Sequence, residues 1–225
     1  MVPRLNSSQL KIMAMDGSFY AGMFHHALTK LHSVASNLQT LVICSSREAA
    51  LNNPAVSPCK YLQLRHLKIY CISSQFESFD FLNMISFLEA CPVLETFFLS
   101  VGQQCYAMLE STSQKPDVDS WHIKKAPGFR HDKLKKATIT GISSSKSLIE
   151  LICQILENCS SLECLVLDTT NGYDNSGICR NMDRRAVMEA LQGVKAIERH
   201  VEWKVPSTVI FKVLKPCDRC HMSKL

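Results

Sequence analysis

The sequence predicts an α/β solenoid, parallel strands piled side by side into an arc with helices and loops outside, and three observations predict it. One phrase occurs twice: "EACPVLETFFLS" from Glu89 and "ENCSSLECLVLD" from Glu157 align when Cys91 is laid over Cys159. Leu88, Glu89, Leu94, Glu95 and Leu99 then fall on Leu156, Glu157, Leu162, Glu163 and Leu167. The second observation is that the heart of this phrase, LxxLxL or a conservative version, recurs along the chain. The third is that segments of helical period stand upstream of several copies. A helix-then-strand unit cannot bury its own apolar face, so repeated units must stack, which makes a leucine-rich-repeat horseshoe with a parallel concave sheet and convex helices and loops.

In chain order the copies are "SSQLKI" (Ser7–Ile12), "LQTLVI" (Leu38–Ile43), "LRHLKI" (Leu64–Ile69), "LETFFL" (Leu94–Leu99), "LKKATI" (Leu134–Ile139) and "LECLVL" (Leu162–Leu167). Their first positions are 31, 26, 30, 40 and 28 residues apart, near repeat length except for the fourth interval. The last apolar positions of each copy alternate with other residues, the period of a strand with one buried face. Leu41 and Ile43 thus point inward, and Thr40, Val42 and Cys44 outward. The expected strands lie near residues 9–13, 39–44, 65–70, 95–100, 135–140, 163–168 and 208–214 of a single domain over 1–225. Leu41, Leu67, Phe97 and Leu165 are expected to share one buried row.

Helices are expected between the strands. In "SKSLIELICQILENC", Leu148, Leu151, Ile152, Ile155, Leu156 and Cys159 form one continuous helical face, and Ser147 with Glu150 reads as a capping box. "FLNMISFLEAC" repeats the pattern through Phe81, Met84, Ile85, Leu88 and Cys91, and "RRAVMEALQGV" through Val187, Ala190, Leu191 and Val194. The long interval, residues 102–130, holds Lys115-Pro116 and Ala126-Pro127-Gly128 and reads as an extended loop on the rim.

Composition agrees with a soluble globular chain: 46% hydrophobic and 20% charged residues over 225. No apolar run approaches the ~18 residues that span a bilayer, and the first residues hold no apolar signal region. The expected location is therefore intracellular, cytoplasm and/or nucleus. There the 11 cysteines read as free thiols serving as small hydrophobes. Lys and Arg exceed Asp and Glu by 25 to 20, much of the surplus lying in "HIKKAPGFRHDKLKK" (His122–Lys136). It reads as a solvated basic loop and strand end, and without a stacking platform or a nucleic-acid motif no nucleic acid is expected as partner.

Three stretches, "YLQLRHLKIYCI", "FLNMISFLEACPVLETFFLSV" and "FRHDKLKKATITGISSSKSLIELICQILENCSSLECLVLDTT", with the closing "KVPSTVIFKVLKPCDRCH", carry a resemblance. From about Lys60 onward the chain resembles the leucine-rich-repeat region of plant F-box proteins, particularly the grass set. The resemblance implies the substrate-recruiting subunit of a Skp1–cullin–F-box ubiquitin ligase, whose repeats hold the target. The sequence shows no F-box, so Skp1 is expected as a partner only if one exists upstream. It also departs from the usual Asn or Cys eight positions after the first Leu: Ser46, Ile72, Gly102, Ile142 and Thr170 stand there. Less regular convex returns are expected.

The functional surface of a horseshoe is the outward side of its strands. Alternation assigns to it Lys11 and Met13, Thr40 and Val42, and His66, Lys68 and Tyr70. Thr96, Phe98 and Ser100, then Lys136, Thr138 and Thr140, and finally Cys164, Val166 and Asp168 complete it. A protein partner is expected across them with Tyr70 and Phe98 as anchors, since aromatic residues dominate binding hot spots. The closing Cys217, Cys220 and His221 match a C-x-x-C-H haem-attachment pattern. Haem would require export and an enclosing fold, and zinc would require a fourth ligand from as far away as Cys179 or His200. The residues read as a polar tail, with a zinc-binding or thiol-dependent protein as the alternative. No GxSxG, phosphate-binding glycine loop or HExxH occurs, so neither an enzyme nor a cofactor is expected.

Overall fold

A computed structural model describes residues 10–17, 22–31, 37–46, 48, 60–72, 79–102, 128–170, 182 and 184–217. Seven strands form one sheet in which spatial order is chain order. They are β1 (Ile12–Gly17), β2 (Thr40–Ser45), β3 (His66–Cys71), β4 (Thr96–Val101), β5 (Lys136–Thr140), β6 (Cys164–Asp168) and β7 (Ile210–Leu214). All six pairings are parallel. A parallel pair cannot be closed by a tight hairpin, so each strand needs a long return. The helices lie in those returns: α1 (Met23–Thr29), α2 (Ile85–Ala90), α3 (Lys146–Asn158) and α4 (Arg184–His200).

The repeated leucines explain the register. Leu41, Leu67, Phe97, Ala137 and Leu165 are partners across β2 to β6 and are buried as one row, which Phe211 continues on β7. Ile43, Ile69, Leu99, Ile139 and Leu167 form the next row, and the leading Leu38, Leu64, Leu94, Leu134 and Leu162 are buried as well. At about 1.5–3 kcal/mol for each fully buried large apolar side chain, these rows dominate the stability of the sheet.

The first strand departs from expectation: it runs Ile12–Gly17, not 9–13. Met13 pairs with Leu41 and Met15 with Ile43, so Met13 faces the core instead of the open face. The first repeat is therefore Leu10-x-x-Met13-x-Met15, because an unbranched thioether can fill a leucine position. The last strand begins at Ile210 instead of 208, since the Val209 N–H closes a turn onto the Pro206 carbonyl at 3.0 Å.

The convex layer is tighter than a one-sided helix pattern implies. α3 buries residues all round, including Ile149, Glu150, Cys153 and Gln154, because it lies between a 3₁₀ turn at Phe81–Met84 and α4. The Ser147–Glu150 capping box does not form, and Ser145 is the N-cap. The Ser147 hydroxyl is drawn instead to the return before β4, two repeats back, accepting from the Phe81 N–H at 3.2 Å and donating to the Phe79 carbonyl at 3.4 Å. In α4, Val187, Ala190 and Val194 are buried while Leu191 is only partly so. Gly193 lies against the turn after β5, where a Cβ would stand 2.5 Å from the Ile142 carbonyl oxygen. Only glycine permits that approach.

α1 is held from across the chain. Glu48 Oε1 accepts from the Phe24 N–H at 3.0 Å and from the Ser45 hydroxyl at 2.7 Å. Burial holds the Glu48 carboxyl above its ordinary range despite those donors.

A second column runs through the turns that enter the strands. Tyr61, Cys91, His131 and Cys159 each stand six residues before an inward residue of the Leu67 row, and all four are buried. The Tyr61 N–H donates to the Ala90 carbonyl at 2.7 Å, and the His131 N–H to the Asn158 carbonyl at 2.9 Å. The Tyr61 hydroxyl donates to the Ala27 carbonyl. His131 reaches furthest. Its Nδ1 accepts from the backbone N–H groups of Lys133 (3.3 Å) and Leu134 (3.0 Å), which places the ring proton on Nε2. That proton is donated to the Cys91 carbonyl one repeat away, at 2.9 Å. His131 is thus a structural stitch and not an isolated side chain of a solvated basic run. Cys91 and Cys159 are free, buried thiols; burial pushes Cys91 far up and Cys159 to about 12.

Where an Asn or Cys ladder would stand, backbone groups do the joining. The Ile72 N–H donates to the Ser45 carbonyl at 2.9 Å, and the Gly102 N–H to the Cys71 carbonyl at 2.7 Å. Of the expected rim loop over 102–130, residues 103–127 lie outside the described residues. The chain re-enters at Gly128, with φ of 87°, and buried Phe129.

Candidate functional site

The pairing that buries one side of each strand lays the other side out in three rows. Thr40, His66, Thr96 and Lys136 share the first row with Ile12, Cys164 and Ile210. Val42, Lys68, Phe98, Thr138 and Val166 form the second with Ala14 and Lys212. Tyr70, Thr140 and Asp168 form the third with Asp16, Cys44, Ser100 and Leu214. Fourteen of the sixteen residues expected at a partner site, all but Lys11 and Met13, therefore hold register positions on one face of one sheet.

At its centre, Tyr70 and Phe98 lean on each other with ring centroids 5.4 Å apart at 48°, both half-exposed. Beside them the His66 Nδ1 and the Thr96 hydroxyl lie 2.8 Å apart, which fixes the imidazole against the sheet. The Cys44 thiol is held above its ordinary range by burial and by the Asp16 charge. Lys68, Lys136 and Lys212 are exposed and join no ion pair among the described residues. Three described acids are engaged elsewhere: Glu95 with Arg65 at 2.5 Å, Glu157 with Lys204 at 2.5 Å and Glu198 with Lys215 at 2.8 Å.

Asp168 is the exception among the expected residues that keep their register. It occupies the right register position but is only 2% exposed, and its Oδ1 accepts from the Thr170 N–H and hydroxyl at 2.7 Å each. Its carboxylate closes the turn after β6 and is not presented to a partner. Conversely, sequence reasoning missed Ile12, Ala14 and Asp16, whose strand was framed wrongly. It also missed Ile210 and Lys212, although their alternation with Phe211 and Val213 was readable.

Of the closing C-x-x-C-H, only Cys217 lies among the described residues; Cys220, His221 and Cys179 lie outside them. Among the described residues no three or more His, Cys, Asp or Glu are placed to hold a metal ion, and no helix is long and apolar enough to cross a membrane. A separate open cleft at the strand entries is lined by Arg130, Glu157, Ser160, Pro206 and Thr208 among others, and its Glu157 is already paired with Lys204.

A family model described as "At1g61320/AtMIF1, LRR domain" matches residues 3–218, nearly the whole chain. No curated protein and no solved structure matches it.

Proposed function

The chain belongs to the leucine-rich-repeat domain family of the At1g61320/AtMIF1 type, and from that premise we propose that it is a non-catalytic interaction module holding a protein partner across the open face of its sheet. One observation carries the reading. Seven register-matched strands merge their outward residues into a continuous surface with a half-exposed aromatic pair at its centre. Large, rigid aromatic groups of this kind anchor protein interfaces, with polar residues around them setting orientation. Thr40, Val42, His66, Lys68, Thr96, Lys136, Thr138, Thr140 and Val166 are that surround.

The finer form of the proposal follows the resemblance to F-box proteins: the partner is a target recruited for ubiquitin transfer, and the ligase is met through an F-box module, not through these repeats. Tyr70→Ala with Phe98→Ala tests the first part in a capture experiment. The double variant should fold as the parent does and lose the partner that the parent retains; equal capture removes the open face from consideration. Co-purification with Skp1 tests the second part. The 225-residue chain alone should not retain Skp1, and direct binding would show that these repeats themselves contact the ligase.

A further inference from the structure

We propose that the occupant of the open face is an extended acidic protein segment, with carboxylates at roughly three-residue intervals and an apolar side chain seated on the Tyr70–Phe98 pair. The inference rests on the reading of the open face as the binding surface. Charge decides the class. Lys68 on β3, Lys136 on β5 and Lys212 on β7 stand exposed on alternate strands without an ion pair among the described residues. On the same face Asp168 is buried in its turn, and the exposed acid, Asp16, lies on edge strand β1 two strands from Lys68. Among the described residues the three rows therefore carry three exposed lysines against one exposed acid, Asp16, at the far edge.

Spacing decides the form. Neighbouring strands lie about 4.8 Å apart, so lysines on alternate strands stand roughly 10 Å apart across the sheet. A polyproline II segment rises about 3.1 Å per residue with three residues per turn, so its same-side groups recur every ~9 Å. Glutamate or aspartate at every third position would meet successive lysines. Lys136 sits one row away from the other two, two residues along its strand, an offset that a flexible four-carbon stem can take up.

The aromatic pair decides between protein and nucleic acid. Phe98 is the register partner of Lys68, and its ring leans on Tyr70 at 48°. Two rings packed on each other offer a notch for a side chain, not the free flat face on which a base stacks. No arginine occupies any of the three rows, so the planar fork that grips phosphate is missing as well.

The test uses the 225-residue chain and a fluorescein-labelled peptide of about ten residues, long enough at ~3.1 Å per residue to cross from β3 to β7. It carries Glu at every third position and one central Leu. Binding is read by fluorescence anisotropy for the parent, for Lys68→Gln with Lys136→Gln and Lys212→Gln, and for Tyr70→Ala with Phe98→Ala. Circular dichroism checks that each variant is folded. The acidic peptide should bind the parent and weaken as salt rises. It should bind the lysine variant roughly tenfold more weakly, as expected when three exposed charge pairs are lost together. The aromatic variant should bind it more weakly too.

Three results would overturn the inference: no binding, equal binding of the peptide with Gln for Glu, or tighter lysine-dependent binding of a single-stranded RNA of similar length. The Gln-peptide result leaves the open-face reading standing if the aromatic variant still weakens binding. Binding of the acidic peptide that neither variant disturbs would sink both.

Discussion

Truncating His131 offers a graded test of how the repeats are stitched. The imidazole is 4% exposed and makes three hydrogen bonds: Nδ1 accepts from Lys133 N–H and Leu134 N–H, and Nε2 donates to the Cys91 carbonyl. His131→Ala orphans two donors and an acceptor at once. A buried polar group left without its partner costs about 1–3 kcal/mol. The Leu134 bond at 3.0 Å should stand within that range and the longer Lys133 bond at 3.3 Å near its lower end. Adding the orphaned Cys91 carbonyl, about 1–3 kcal/mol again, and the lost packing of the ring gives at least about 3 kcal/mol. His131→Asn separates the terms. Its side-chain oxygen can still accept from the N–H groups two and three residues on, as asparagine does in Asx turns, but it is too short to reach Cys91. It should lose only the link between repeats, roughly 1–2 kcal/mol. Urea denaturation would measure both through the midpoint with the slope unchanged. Equal losses in the two variants, or less than ~0.5 kcal/mol in His131→Ala, would refute the stitch.

Gly193→Ala should destabilise by about 1–3 kcal/mol by forcing α4 off the turn after β5, read in the same urea titration. Glu48 gives a pH signature. Burial raises its carboxyl in the folded chain, so its favourable contribution is complete below the ordinary carboxylate range and is lost as pH rises through the folded value. Glu48→Gln should therefore be the more stable protein at neutral pH, with the advantage vanishing towards about pH 4, seen in urea midpoints across pH. An advantage that grew towards acid would contradict this. In native protein, iodoacetamide should modify half-exposed Cys44 and Cys164 well before Cys71, Cys91, Cys153 and Cys159, the last three held as thiols by burial, with Cys153 at about 11. Peptide mass spectrometry over a time course gives the order.

Much of the fold could be read because burial writes itself into type and period. Leu, Ile and Phe at LxxLxL positions announced β2 to β6, and the register joined them as that phrase implies. β1 was misframed because its inward residues are Met13 and Met15, and a search for branched apolar residues stops at Leu10 and Ile12. The error carried Met13 onto the open face and left Ile12, Ala14 and Asp16 off it. Asp168 followed the alternation correctly, yet D-x-T at a strand end is also a turn signature, and the turn took the carboxylate. Ser147 had the spacing of a cap, but the helix begins one residue before it, at Lys146, and the serine hydroxyl bonds to another repeat. His131 carried no local signal. Only aligning the turns with the strands shows that it stands where Cys91 and Cys159 stand, and only the structure shows what a larger polar side chain does there.

Side-chain radical footprinting of the complex with the captured partner addresses the central claim most directly. Tyr70, Phe98 and His66 on the open face should be protected, while Met188 on α4 and Trp203 beyond it, exposed on other surfaces at 46% and 73%, should react as in the free chain. Protection of Met188 and Trp203 with Tyr70 and Phe98 unchanged would place the partner on a different surface and contradict the account.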